Sequence, residues 1–412
     1  MILNAVLFGH GSHESAWRAP GADPMAPLRL DHWLACARAA ETAGFDGLFL
    51  GDILCLQDRP EQHPSEALDP FLVLAALTGA TQRLTLTGTA STSFTHPWTL
   101  ARRILSLHHL SGGRAGWNIV TSSYPQEAAN FGWPEMPPTA ERYALAEDVV
   151  QAVRALWAGW DGITRLGDAA SGRYLNRAPD PIRHQGRYGA TGGPVNLSPA
   201  PYGPPLLAQA GSSAEGLAFA ARHADQVFTV QSDLAEARAF RARLRQQVQA
   251  CGRDPDTVKL LPGVVIFADE TRAKAEAQLQ ALTARLEIDH ILAKLARFTG
   301  LDLASAPLDR PLPFGPDDLQ PNRFSNSRAH LLLGQARRQG LTLRQLAARF
   351  AAGRGHLLLV GTGAEVAAVL RDWLAQGAAD GFNVMPPLLP QGLVDFGRHV
   401  APHLRGQGPA PL

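Results

Sequence analysis

The chain has 412 residues, 45% of them hydrophobic and 18% charged, with a formal net charge of +1. That length buries a large core without staples, and the balanced charge argues against a nucleic-acid-binding surface or an acidic tail. Cys36, Cys55 and Cys251 lie far apart with no CxxC spacing, which excludes a disulfide framework and fits a reducing cytoplasm. No apolar run approaches the roughly 20 residues needed to span a bilayer.

Along the chain, short apolar runs alternate with helical patterns. Met1–Phe8 is apolar but has no basic segment before it, so it reads as a first strand and not as a signal peptide. Strands are expected at Ile2–Phe8, Gly47–Leu50, Leu84–Gly88 and Ala115–Val120, then at Leu206–Ala208, Gln226–Thr229, Lys259–Val265 and Phe382–Met385. Their near-continuous hydrophobicity is that of strands covered on both faces. Helices are predicted between them over Leu30–Ala43, Pro70–Ala80, Pro97–Leu110, Arg142–Trp157, Ala214–Ala224, Leu234–Ala250 and Ala364–Gln376. Asp69-Pro70 supplies an N-cap and an N1 proline, Thr362 or Gly363 opens the last long helix, and Gly377 follows it as a C-terminal glycine. Eight strands interleaved with helices define an α/β chain closed as a (β/α)₈ TIM barrel.

Three segments interrupt the rhythm at about 122–140, 161–205 and 282–350, after strands four and seven. Long connections on the C-terminal face of a barrel cover its active site, so these are lid insertions on one barrel domain spanning 1–412.

Reactive groups in a barrel stand at the C-terminal ends of its strands. Those ends carry His10 and His13, Asp52, Thr89, Asn118, and Gln209-Ala210-Gly211-Ser212-Ser213 just before a helix. The last string offers free N–H groups, hydroxyls and a helix N-terminus, which suit a phosphate; plain N-capping by either serine explains it as well. His10 and His13 are candidates for proton transfer, against a role in capping the first loop. His96 before Pro97 either fixes that turn or lines a pocket. Trp17, Phe94 and Phe131 are aromatic residues in loop segments, placed to line a substrate pocket as readily as to pack. His10, His13 and His96 lack a carboxylate at metal-ligand spacing, so no metal is expected.

The string Leu107–Ser122, LHHLSGGRAGWNIVTS, is followed by Asn130-Phe131-Gly132, Glu141-Arg142-Tyr143 and LAQAGSS at Leu207–Ser213. Together these resemble the bacterial-luciferase-like flavin-dependent monooxygenases, in the branch of nitrilotriacetate, dibenzothiophene-sulfone and long-chain alkane monooxygenases. The resemblance runs in register from Ala16–Pro20 to Asp380–Pro387. It implies a two-component enzyme using FMN, reduced by a separate NAD(P)H:flavin reductase, with O₂ reacting through a peroxyflavin. Carried over residue by residue, Asp52, Thr89 and Asn118 would lie against the isoalloxazine, with Asn118 also serving catalysis. Thr139, Tyr143, Gly211, Ser212 and Ser213 would hold the phosphate. Thr139 stands where the family often has histidine, which predicts weaker flavin binding; His108-His109 is a second departure, without a functional account. The cofactor carries the oxidation while the protein supplies orientation and dryness.

No G-x-G-x-x-G follows a strand, so electrons must come from outside. Aromatic-rich, base-poor loops suggest an apolar or heterocyclic substrate, and the family tendency suggests a homodimer or tetramer. The alternatives are a deazaflavin-dependent oxidoreductase, a non-catalytic flavin-binding protein and, least favoured, a metal-dependent hydrolase.

Overall fold

The computed structural model describes residues 1–57, 59–187, 189–211, 213–303, 306–319 and 326–404, with backbone alone at 326–328 and 331. The barrel opens with β1 (Ile2–Leu7), α1 (Leu30–Ala43), β2 (Gly47–Leu50), α2 (Pro70–Leu77), β3 (Thr85–Ser91), α3 (Pro97–Leu110) and β4 (Ala115–Val120). Then come α4 (Pro125–Asn130), α5 (Thr139–Ala158) and two small strand pairs, β5 (Arg165–Asp168) with β6 (Arg173–Leu175) and β7 (Ile182–Gln185) with β8 (Ala190–Gly193). The wall resumes with β9 (Leu206–Gln209), α6 (Ala214–His223), β10 (Gln226–Thr229), α7 (Leu234–Ala250) and β11 (Lys259–Asp269). After α8 (Arg272–Thr283), α9 (Ile288–Thr299), α10 (Asn326–Gln339) and α11 (Leu343–Gly353) come β12 (Leu357–Thr362), α12 (Gly363–Ala375) and β13 (Gly381–Val384).

Neighbouring wall strands pair in parallel from β1 through β2, β3, β4, β9 and β10 to β11. β13 then pairs with both β11 and β1, which closes eight strands into a barrel. Strand faces explain the closure: every residue of β2 and β13 is buried, as strands with helices outside and packed side chains inside require. Inside, Asn4 Nδ2 donates to Asn383 Oδ1 and Gln226 Oε1, each at 3.0 Å, so Asn383 is spent on an internal amide layer.

Local signals set the helix ends. Asp69 Oδ1 accepts from the N–H groups of Phe71 and Leu72, and the Thr362 hydroxyl and Glu365 form a capping box. Gly377 takes φ of 68°, where a side chain would be strained.

The expected strand set omits β12. β11 runs 11 residues, and only its first half belongs to the closed wall; Val264–Asp269 continues past the rim and pairs in parallel with Leu357–Thr362. The chain between these two strands carries its own small core, in which Ile291 and Leu295 of α9 meet Leu346 and Phe350 of α11. His108 and His109, unexplained in the sequence, each hydrogen-bond a carbonyl of the 161–205 segment, Gly203 O at 3.0 Å and Ser198 O at 2.7 Å. No helix among the described residues is long and apolar enough to cross a membrane.

Candidate active site

The strand-end residues converge along one arc of the rim. Register places Thr89 of β3 beside Asn118 of β4, and Asn118 beside Ala208 of β9. Asn118 Nδ2 donates to Thr89 Oγ1 at 2.9 Å, and that hydroxyl donates to Leu50 O at 2.7 Å. Asn118 is buried, yet its Oδ1 has no partner among the described residues. A buried acceptor left open costs about 1–3 kcal/mol, so a site that keeps one is shaped for a donor from elsewhere.

Asp52, at the end of β2, is partly buried, and burial pushes its carboxyl up to about 6, with Asp69 and Glu127 adding like charge. Around it the loops are tied by Glu127, whose carboxylate accepts from Leu54 N, Ser122 Oγ, Ser123 N and Tyr124 N, each at 3.1 Å. Sequence reading misses Glu127; its helical setting after a strand end carries no spacing signal.

A second group forms where α5 meets the end of β9. The Tyr143 hydroxyl accepts from Gln209 Nε2 at 3.2 Å and bonds Ser213, and burial raises its ionisation above the ordinary range. Gly211 and Gly216 make room for it, since a Cβ on either would stand 2.5 Å or 2.7 Å from the Tyr143 oxygen. Ser213 Oγ caps α6 by accepting from Gly216 N at 3.1 Å. Ser212 lies outside the described residues. Gln209 Oε1, like Asn118 Oδ1, is buried with no described partner. Thr139 begins α5, and its Oγ1 accepts from Arg142 Nη2 at 3.0 Å. Arg142, which the sequence offers only as part of a motif, also donates to Pro137 O at 3.0 Å and to Ser122 O, joining the loop after β4 to α5.

The remaining expected residues divide. His10 Nε2 faces the carbonyls of Asp23 and Pro24, both at 3.1 Å, so its bond serves the loop after β1. His13 Nδ1 accepts from Ser15 N at 3.1 Å, while Nε2 is buried without a described partner; burial pulls this imidazole down to about 4, so it is neutral at pH 7. Phe94, His96 and Phe131 line one cavity of about 430 Å³, with Phe94 stacked on Phe131 at 4.5 Å. His96 also caps α3 through Nδ1. Trp17 stands apart from that cavity, beside the exposed Arg18. Phe8, Gly211, Phe228, Arg354, His356 and Met385 are among the residues lining a smaller cavity of about 150 Å³ at the mouth.

This arrangement can bind a planar, donor-rich heterocycle at the rim and an anion at the glycine-serine turn, as a flavin mononucleotide requires. The luciferase-like monooxygenase profile matches residues 11–380. N-acetyl-S-(2-succino)cysteine monooxygenase of Bacillus subtilis is 36% identical over 98% of this chain and 92% of its own. Nitrilotriacetate monooxygenase component A of Aminobacter aminovorans is 36% identical over 97% and 90%. A riboflavin lyase, solved with a modified FMN and riboflavin, superposes with a TM-score of 0.84 at 31% identity, covering 98% of this chain and 91% of the other. The chain belongs to the luciferase-like monooxygenase family.

Proposed function

We propose that this chain is the oxygenase of a two-component system, taking FMN already reduced by a separate flavin reductase and using O₂ to oxygenate a small organic substrate. The observation that carries the reading is the pair of buried, open acceptors, Asn118 Oδ1 and Gln209 Oε1, on neighbouring strands at one rim. Asp52, Thr89 and Asn118 would hold the isoalloxazine, and Thr139, Tyr143 and the Gly211–Ser213 turn the phosphate. Bound reduced FMN supplies the two electrons that leave one oxygen atom of O₂ in the product and the other in water.

The chain's own residues orient the ring, exclude water and manage protons. Thr89 and Asn118 fix each other in a two-bond relay to Leu50 O, so their polar faces need no rearrangement on binding. Of His10 and His13, the latter keeps a buried nitrogen without a described partner, and we assign it the proton held near the mouth; His10 positions the loop that carries it. The cavity walled by Phe94 and Phe131 supports a substrate with an apolar or heterocyclic body.

The test is anaerobic loading with reduced FMN, then stopped-flow mixing with oxygenated buffer. A transient outlasting the oxidation of free reduced FMN is expected, and Asn118→Leu should shorten it. Failure to bind reduced FMN would overturn the reading in favour of a deazaflavin hydride-transfer enzyme; binding with immediate oxidation, substrate present or not, would favour a non-catalytic flavin protein.

A further inference from the structure

At the mouth, four chain segments meet on one carboxylate. Glu14, from the loop after β1, is almost fully buried. Its Oε2 receives Lys294 Nζ of α9 at 2.6 Å, and its Oε1 receives Arg354 Nε at 3.1 Å and Nη2 at 3.0 Å. His63, from the loop after β2, brings Nε2 to 2.8 Å of Oε2. His290 of α9 stacks on His63, ring centroids 5.4 Å apart, and its buried Nε2 has no described partner.

Two fixed cations against one carboxylate leave this cluster net positive, and Arg59 adds to the field at His290. Glu14 and Lys294 are buried while the Arg354 side chain stays 31% exposed, so the uncompensated positive charge faces the mouth, where an anion can meet it. Arg354 is the residue through which an anion could do so. One edge of its guanidinium is held by Glu14, the plane lies over the Phe8 ring at 5.7 Å, and the side chain lines the mouth cavity. Nη1 has no partner among the described residues, which leaves it for a ligand. The backbone points the same way. Arg354 ends α11 between two glycines in the left-handed region, φ 50°, where glycine itself would sit with less strain.

We propose that Arg354, positioned by Glu14, with Lys294 on the other oxygen of that carboxylate, is an anion subsite that receives a carboxylate of the organic substrate. This rests on the oxygenase reading and narrows it: the substrate couples an oxidisable organic body to a carboxylate end. Glu14, His63 and His290 also place their ligand atoms within 4.8 Å of one another, the spread of a divalent-metal site. Lys294 and Arg354 already engage both oxygens of that carboxylate and would repel a divalent ion, so the anion is the better occupant.

The test uses the flavin-free full chain and titration calorimetry with succinate and its uncharged diamide. Wild type should bind succinate and not the diamide, with affinity falling as salt rises. Arg354→Met should weaken succinate at least tenfold, and Arg354→Lys should retain part of the binding, each compared at a temperature where circular dichroism shows the variant fully folded. Equal succinate affinity in Arg354→Met, equal affinity for the diamide, or no succinate binding by wild type at millimolar concentration would overturn the subsite. Weaker reduced-FMN binding in Arg354→Met with succinate unaffected would overturn it too, assigning the arginine to the flavin. Stoichiometric zinc uptake abolished by His290→Ala would make the cluster a metal centre instead. The oxygen transient of the flavin-loaded protein is read without any carboxylate, so failure here leaves that reading standing, and the reverse holds.

Discussion

The two sides of the mouth are built on opposite principles. On the β3–β4–β9 side the strand residues Thr89, Asn118 and Gln209 are uncharged, and the last two keep acceptors open. On the lid side the groups are charged, come from loops and inserted helices, and saturate one carboxylate with cations. On the proposed function, the flavin is met by backbone-fixed shape, whereas the charged end of the substrate is met by segments inserted outside the wall. Charge pairing also ties those segments to one carboxylate.

The comparison can be broken most forcefully at Glu14. Glu14→Gln keeps the shape but leaves Lys294 and Arg354 without their counter-ion, and chemical denaturation should show a loss of about 3–5 kcal/mol. Arg354 and Lys294 hold the Glu14 carboxyl well below its usual range against the pull of burial. A depressed carboxyl gives stability that is present above the unfolded value, about 4.3, and is lost as pH falls through the folded one. The variant should therefore flatten the acid limb of the stability curve; an unchanged limb would show that Glu14 is not the clasp.

On the neutral side, Gly211→Ala puts a methyl 2.5 Å from the Tyr143 oxygen and 2.4 Å from Gln209 Nε2. FMN affinity, followed by fluorescence quenching, should fall at least tenfold, about 1.4 kcal/mol. Thr139→His introduces the residue common in the family and should tighten FMN by on the order of 1 kcal/mol. No change would mean that Arg142, already bonded to Thr139, makes the difference immaterial.

The smallest expected effect is at Asp52. Its raised carboxyl, about 6, means that folding opposes ionisation, so stability falls as pH rises from about 4 to 6 and stays lower above. Asp52→Asn should gain nothing below pH 4 and, after solvent screening, less than about 1 kcal/mol at pH 8. A gain that is the same at every pH would separate the effect from ionisation.

What is legible in the sequence follows the same division. Strand ends, caps and the glycine-serine turn are local, and the alternation of apolar runs with helical patterns is enough to assign Thr89, Asn118 and Gly211 to one rim. The clasp is non-local: Lys294 and Arg354 lie 280 and 340 positions from Glu14, and no periodicity links them. His63 and His290 are hidden for the same reason. His10, His13 and His96, which lack metal-ligand spacing in the sequence, are also not the histidines that the fold groups with a carboxylate among the described residues. β12 escapes because its apolar run pairs with the part of β11 beyond the barrel, where the eight-strand count has no place for it. Arg142 and Glu127 stand inside recognisable motifs or segments, but nothing in their spacing announces loop-tying carbonyl and amide bonds.

The overshoot of β11 has an evolutionary reading. Because the long insertion leaves the ribbon after Asp269 and re-enters it at Leu357, opposite Val264, both of its ends are anchored on the same pair of parallel strands. Such a segment can be treated as a cassette, replaced as a block while the two junction strands are left intact. Swapping 270–356 as a block is thus the natural unit for moving substrate preference from one member of this fold to another.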